Sequence, residues 1–358
     1  MTTFTYDGLP GRVVFGAGTA RTRLLVELDL LGAQRILLIA TDAEGEVATR
    51  MCAPFADRVV ATFAQVRPHV PVEVAELARK AATEADADLV LSVGGGSTTG
   101  TAKAVAHTTG LPILAVPTTY AGSEVTPVWG MTDRGRKTTG TDQRVLPKTV
   151  VYDPELTASL PVDLSVASGL NAVAHCVEAF WAPRRSPVSS AVAEDGIRHL
   201  VAGLATLADV PTDPASRSEL LLGAYLAGSA FAVAGSGLHH KICHVLGGAF
   251  DLPHAQTHAI VLPYVLAYNA PNAAEATDRI TRALGRTDIV DALRELGAGL
   301  GVPAGLGELG MSEAEIDTVI DDITAIAPAD NPTPVTEEGV RAILSGAWAG
   351  SDPAGLQQ

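Results

Sequence analysis

The stretch "DLVLSVGGGSTTGTAK" (residues 88–103) changes character in its middle. Its first half is a short apolar run without helical period, and its second half sets Thr, Ala and Lys at helical spacing. Three glycines join the two. A buried strand that hands over to a helix through glycine is the repeating unit of an open parallel sheet, so the stretch predicts an α/β fold with a turn at a strand's carboxyl end.

The same alternation continues outward. "RILLIAT" (35–41), "RVVATF" (58–63), "PILAVPTT" (112–119) and "TVVYD" (149–153) read as further strands, and "VEVAELARKAATEADA" (72–87) and "TTGTAKAVAHTT" (98–109) as helices. Past "DPELTASLPVD" (153–163) the β-rich runs stop, and Ala- and Leu-rich segments with helical spacing take over. A chain of 358 residues is long for one core. The expected organisation is an α/β nucleotide-binding domain over 1–155 and an all-helical catalytic domain over 156–358.

Composition narrows the function. A formal charge of −15 excludes a nucleic-acid or anionic-membrane partner, since phosphate binding needs a basic face. Three scattered cysteines without a CxxC pair fit a reducing compartment rather than a disulfide framework. The N-terminus has neither a basic start nor an apolar core, so no signal peptide is read and the cytoplasm is expected. Residues 220–238 carry no charge over nineteen positions, but their Gly, Ala and Ser content suits a buried, closely packed helix better than a membrane span.

Gly94, Gly95 and Gly96 carry no Cβ, so the backbone N–H groups there and at Ser97 can approach a phosphate at a helix N-terminus. The turn is neither GxGxxG nor a P-loop, and on its own it is equally compatible with a ligand-free turn. "AVPTTYAGSEVTP" (115–127) ends a neighbouring strand with Thr118, Thr119, Tyr120 and Ser123. The three hydroxyl residues suit a nucleotide, or else a cap or a turn. "FGAGT" (15–19) is a third glycine turn. Asp42, just past a strand end, suits a ribose 2′-hydroxyl and disfavours a 2′-phosphate, which points to NADH over NADPH.

The helical half supplies reactive groups. In "SGLNAVAHCVEAF" (168–180), Asn171 and His175 share a helix face. "GLHHKICHVLGGAFDLPHAQTH" (237–258) holds five of the nine histidines, with His240 and His244 four apart and His254 after a glycine-containing turn. His175, His240 and His254 offer nitrogen atoms that zinc or iron accepts. His239 and His258 lie off that face and are expected to see solvent or supporting partners.

"GGGSTTGTAK", "PTTYAGSEVTP", "SGLNAVAHCVEAF" and "LHHKICHVLGGAFDLPHAQTH" together resemble the iron-containing alcohol dehydrogenase superfamily, and within it the maleylacetate reductase family. The likeness runs from "GRVVFGAGT" to "NPTPVTEEGVRAIL", nearly the whole chain. It implies a dehydroquinate-synthase-like fold, an active site between the two domains and a homodimer. It also implies reduction of maleylacetate to 3-oxoadipate with NADH or NADPH during aromatic-compound degradation. Metal-dependent members of the superfamily use one aspartate and three histidines. The corresponding positions are Asn171, His175, His240 and His254, so the anionic ligand is lost. Gly100 stands where alcohol dehydrogenases are usually acidic, and Lys241 where they have a small residue. Both departures are similar to the maleylacetate reductases.

The resemblance therefore implies a metal-independent enzyme acting on a small dianionic enone. Lys241, Asn171 and Tyr120 would meet the substrate, and His244 would act as proton donor or enolate stabiliser. His175, His240 and His254 would hold substrate oxygens, and Lys241 with protonated histidines would supply local positive charge. Two readings stay open beside it: a metal-dependent alcohol or aldehyde oxidoreductase of the same fold, and a nucleotide-binding homologue without turnover.

Overall fold

The apolar runs of the first half have no polar face, which requires cover on both sides of the sheet they form. A computed structural model describes residues 4–9, 11–134 and 136–357. In it the first unit contains β1 (Arg12–Phe15), α1 (Thr19–Leu30), β2 (Ile36–Ile39), α2 (Asp42–Cys52), β3 (Val59–Phe63), α3 (Val72–Glu84), β4 (Leu89–Gly94), α4 (Gly96–Thr109), β5 (Ile113–Pro117), β6 (Val128–Asp133), β7 (Arg136–Thr141) and β8 (Thr149–Tyr152). Six strands form one sheet in the order β1-β8-β5-β4-β2-β3, all parallel. β2, β4, β5 and β8 are buried along their whole length.

The strand order reverses between β2 and β4. From that pair β3 lies to one side and β5, β8 and β1 to the other. In open parallel sheets a ligand crevice forms at such a switch point, outside the strands' carboxyl ends. Asp42, the glycine turn and Thr118–Thr119 lie in the segments that follow β2, β4 and β5.

The five strands and two helices read from sequence are present, with ends that agree to within three residues; α4 begins at Gly96, two residues before the helix read from sequence. The sequence reading leaves β1, α1, α2 and the β6–β7 hairpin unmarked. β1 is only four residues long and partly exposed, and the hairpin is polar along much of β7. Tertiary contacts fix the hairpin instead. Trp129 stacks on His107 of α4 with ring centroids 4.6 Å apart, and Gly140 lies against the indole.

The two compact units divide after Leu160 rather than at residue 155. The chain stays with the sheet a little longer because the Asp153 carboxylate accepts from the backbone N–H groups of Gly18 and Ala20, each at 3.0 Å. Leu156 then packs on the core formed by α1, α2 and the sheet. Residues 4–8 group with the second unit, which no motif in the sequence marks.

The second unit, from Pro161 onward, shows no strand among its described residues. Its helices are α5 (Val162–Ala179), α6 (Pro187–Asp209), α7 (Pro214–Ala234), α8 (Leu238–Phe250), α9 (His254–Asn269), α10 (Ala274–Leu284), α11 (Ile289–Gly299), α12 (Ile316–Ile326) and α13 (Glu337–Ala349). The uncharged run 220–238 is not one helix. α7 ends at Ala234, Gly235 takes φ 93°, and α8 leaves at 100° to α7. Among the described residues no single helix is long and apolar enough to cross a membrane. Small residues do permit close packing here: a Cβ on Gly203 of α6 would come within 2.7 Å of Leu220 Cγ of α7. Beneath α8 and α9, Ile242, Leu246, Val261 and Val265 join Ile320, Ile343 and Leu344 in one core, which fixes the two histidine-bearing helices to α12 and α13.

Candidate active site

Three helices of the first unit begin at the carboxyl ends of sheet strands, and their N-termini differ. The first N–H groups of a helix lack partners within it and must be satisfied by a side chain, water or a ligand. At α1, the "FGAGT" turn, Asp153 already fills that role. At α2 the Thr41 hydroxyl accepts from the Glu44 N–H at 3.4 Å. At α4 the cap is Gly95, and no side chain bonds to the helix end. Of these three turns, that of α4 is the one whose N–H groups no side chain fills, and Gly95, Gly96 and Ser97 are only half-buried.

Gly94 is the glycine this turn requires, and its neighbours leave little room for a side chain. Gly94 has φ 151°, and a Cβ there would run into the Thr98 hydroxyl. A Cβ on Gly95 would stand 3.0 Å from Thr119 Cγ2, and one on Gly96 3.3 Å from Ala121 Cβ. Gly100 faces Val70, whose Cγ2 would lie 2.8 Å from a Cβ at that position. An acidic side chain at Gly100 would have to displace Val70.

Thr118 donates its backbone N–H to Gly94 O at 3.2 Å and its hydroxyl to Glu44 Oε1 at 3.4 Å. Thr119 is half-buried, Tyr120 fully buried, and Asp42 exposed in the first turn of α2. Ser123 is otherwise engaged. Lys103, buried on α4, donates from Nζ to the carbonyls of Ser123, Thr126 and Val128 at 2.7, 2.8 and 2.7 Å, with Ser123 Oγ at 3.2 Å. Burial lowers the Lys103 pKa to about 7, against the pull of Glu124. Three carbonyls match the three donors of an ammonium. Glu124, also buried, accepts from Tyr152 Oη at 2.6 Å. Lys103 thereby ties the loop after β5 to the helix that carries the glycine turn. Lys103→Met leaves those carbonyls without their donor, and we expect a stability loss of about 3 kcal/mol, read by thermal unfolding. An unchanged melting temperature would count against this role.

The second unit gathers six histidines from three helices. α5 carries Asn171, His175 and Glu178, α8 carries His239, His240 and His244, and α9 carries His254 and His258. His175 stacks on His240 with centroids 4.9 Å apart, and Phe231 of α7 covers both rings at 4.7 and 4.6 Å. His258 contacts His240 at 4.7 Å and His254 at 4.4 Å, and His244 lies 6.0 Å from His240 and 6.3 Å from His254. His244 and Lys241 are half-buried, and His254 is exposed.

Burial sets the charge of this cluster. It pushes the pKa of His175 down to about 4 and that of His239 to about 3, and holds His240 and His258 well below the usual imidazole range. These four rings are neutral at neutral pH. The expected positive help from protonated histidines therefore cannot come from His175 or His240, because desolvation opposes their charged form. His240 Nδ1 lies 2.5 Å from Glu178 Oε2, which leaves His240 Nε2 as a buried lone pair without a partner. In the tautomer whose Nδ1–H donates to the Glu178 carboxylate, that nitrogen is an acceptor and His240 does not donate to a substrate oxygen. Asn171 Oδ1 and His175 Nδ1 are likewise buried without partners.

His239 and His258, read from sequence as meeting either solvent or supporting partners, are fully buried and meet partners. His239 Nε2 and His258 Nδ1 share a hydrogen bond at 2.9 Å, and both rings are inaccessible. Glu178, which the sequence reading passes over, accepts from the N–H groups of Gly237 and His239 at 2.9 and 2.6 Å and so caps α8. Burial raises its pKa to about 7, opposed by those backbone donors. A signal was present: Glu178 sits one turn beyond His175 in an otherwise apolar helix.

Residues 10–154 match the family described as iron-containing alcohol dehydrogenase, and residues 165–348 match the C-terminal part of the Fe-containing alcohol dehydrogenase family. The chain belongs to the iron-containing alcohol dehydrogenase family. As a member of that family it is an oxidoreductase, and its sequence places it among the maleylacetate reductases. The maleylacetate reductase of Sphingobium indicum is 48% identical over 98% of this chain and 99% of its own length. That of Burkholderia cepacia is 45% identical over 99% and 100%. The crystal structure of an iron-containing alcohol dehydrogenase from Corynebacterium glutamicum superposes with a TM-score of 0.96 at 48% identity, covering 99% of each chain. That of maleylacetate reductase from Agrobacterium tumefaciens gives 0.92 at 38%, covering 98% and 99%.

The family's description implies iron, and the donor set here fits it poorly. The positions available are an amide and three imidazoles, with no anionic oxygen to favour a hard divalent cation. Glu178, the buried carboxylate beside them, is turned to backbone N–H groups and to His240 Nδ1. Among the described residues, the histidines whose ring nitrogens gather within 4.8 Å are His239, His240 and His258. Two of those three nitrogen-bearing rings are already hydrogen-bonded to each other.

Proposed function

We propose that this oxidoreductase reduces the C=C bond of maleylacetate to give 3-oxoadipate, in the degradation of aromatic compounds, with NADH preferred and no metal required. The observation that carries the metal-free part is Asn171, an amide, standing where metal-dependent members have an aspartate. The substrate rests on the maleylacetate reductases that align with almost the whole chain.

Maleylacetate presents a C=C bond conjugated to a ketone, flanked by two carboxylates. NADH, when bound at the α4 turn, supplies the hydride. Its arrival at the carbon β to the ketone leaves an enolate whose charge is already shared with the ketone oxygen. Such a centre needs less electrophilic help than the alkoxide made by an alcohol dehydrogenase, where a metal serves as Lewis acid. A proton delivered to the α carbon completes the reduction. His244 is the candidate donor, because it is half-exposed at the edge of the cluster and can exchange protons with water. Lys241, one helical position past His240, meets a carboxylate, and the Asn171 amide offers N–H donors to an oxygen. Asp42 at the first turn of α2 favours NADH over NADPH.

The test is NADH oxidation with freshly prepared maleylacetate, with and without a strong chelator. The expected result is an equal rate in both, from protein holding far less than one metal ion per chain. Stoichiometric iron or zinc, with activity lost on its removal and restored on its return, overturns the metal-free reading. Tight NADH binding without turnover of any enone diacid overturns the substrate.

A further inference from the structure

Glu178 makes more contacts than the capping of a helix requires. It lies on α5, one turn beyond His175, and its side chain is fully buried. Oε1 accepts from the His239 N–H at 2.6 Å, and Oε2 accepts from the N–H groups of Gly237 and His240 at 2.9 and 3.4 Å. These donors form the open end of α8, where the helix dipole favours a negative charge. A Ser or Asp on α8 itself would satisfy them equally well. Here the cap comes from another helix, and it also reaches the ring of His240, whose Nδ1 lies 2.5 Å from Oε2.

Both oxygens of Glu178 already accept from backbone N–H groups, so the hydrogen shared with His240 sits on Nδ1. The ring is thereby held at one end by Glu178 and packed by His175 and Phe231, with centroids 4.9 and 4.6 Å away. Lys241 follows His240 directly. His244 comes one turn later, with its ring edge-on to His240 at 6.0 Å. A shift of that first turn moves both side chains. Gly237 shows how tight the arrangement is. Its backbone, at φ −106° and ψ −158°, is extended and does not itself call for glycine. A Cβ there would nevertheless stand 2.6 Å from Glu178 Oε1. The missing side chain makes room for the carboxylate.

We propose that Glu178 is a positioning residue for the reduction: by fixing the His240 ring in its Nδ1–H form together with the first turn of α8, it aims Lys241 and His244 at the substrate. The inference rests on the reading of those two side chains as carboxylate-binding and proton-donating, and names what holds them in place. No substrate atom has to reach Glu178 or His240 Nε2, both of which are sealed.

The experiment compares full-length wild type, Glu178→Gln and Gly237→Ala. Glutamine keeps the size of Glu178, but its NH2 group replaces one acceptor and faces His240 Nδ1. The ring answers by carrying its hydrogen on Nε2, so that Nδ1 accepts. NMR of the ring nitrogens in histidine-labelled protein, with His240 assigned from His240→Asn, is expected to show Nδ1–H in the wild type and Nε2–H in Glu178→Gln. In Glu178→Gln kcat for maleylacetate falls by about 10–100-fold, and in Gly237→Ala by about tenfold. The dissociation constant of NADH stays within about twofold in both, since the glycine turn belongs to the other unit. A purely structural cap would lower the melting temperature of the variants and leave the His240 tautomer and kcat as they are. An Nε2–H ring in the wild type, an unmoved hydrogen in Glu178→Gln, or a kcat within about threefold of the wild type in both variants overturns the assignment. A wild type that turns over no maleylacetate overturns the substrate reading instead, and the NMR comparison then still decides whether Glu178 sets the ring.

Discussion

His244→Ala lowers kcat for maleylacetate reduction by about 10²–10⁴-fold, the usual cost of losing a positioned general acid, while NADH binds as before. The expectation follows from where burial has left the six histidines. His175, His239, His240 and His258 are sealed in and held neutral, so none of them exchanges a proton with water easily. His244 and His254 are the two that solvent reaches, and His244 lies on the same helix as Lys241, one turn beyond His240. Steady-state rates and NADH fluorescence on the same preparation provide the check. A kcat within about threefold of the wild type removes His244 from the chemistry, and a much larger loss in His254→Ala moves the proton donor there.

The second large effect is on substrate recognition. Lys241→Ala raises KM for maleylacetate by about 10–100-fold, corresponding to a desolvated charge-assisted contact of about 1.5–3 kcal/mol, and leaves KM for NADH nearly unchanged. The reason is electrostatic. The chain carries a formal charge of −15, the substrate is a dianion, and the buried imidazoles contribute no positive charge. Lys241 is half-buried on α8 beside them, where an ammonium is less screened than on an open surface. If the mutant shows wild-type constants for both substrates, Lys241 is a solvated lysine and the carboxylates are bound elsewhere.

The division between what was legible and what was not runs along one physical line. Local order is written in local sequence. The run from Asp88 to Lys103 specifies a buried strand, a glycine turn and a helix because period, backbone freedom and burial are all properties of neighbouring residues. The i,i+4 pairing of Asn171 with His175 and of His240 with His244 is fixed in the same way. The motifs containing them were enough to place the chain in its family.

Charge state, capping and solvent access depend on residues far apart in the chain. Nothing near "FGAGT" announces that Asp153, more than a hundred residues later, closes the end of α1 and leaves the α4 turn as the open one. Sequence leaves the Ser123 hydroxyl available to a nucleotide, whereas in the fold Lys103 holds its loop. Helical spacing leaves open whether His239 and His258 meet solvent or supporting partners; α9 packing on α8 settles it by sealing them against each other at 2.9 Å. The sequence by itself determined which side chains are present and on which faces of which elements. Only the tertiary structure decided which of them are desolvated, and desolvation is what makes four of these histidines neutral.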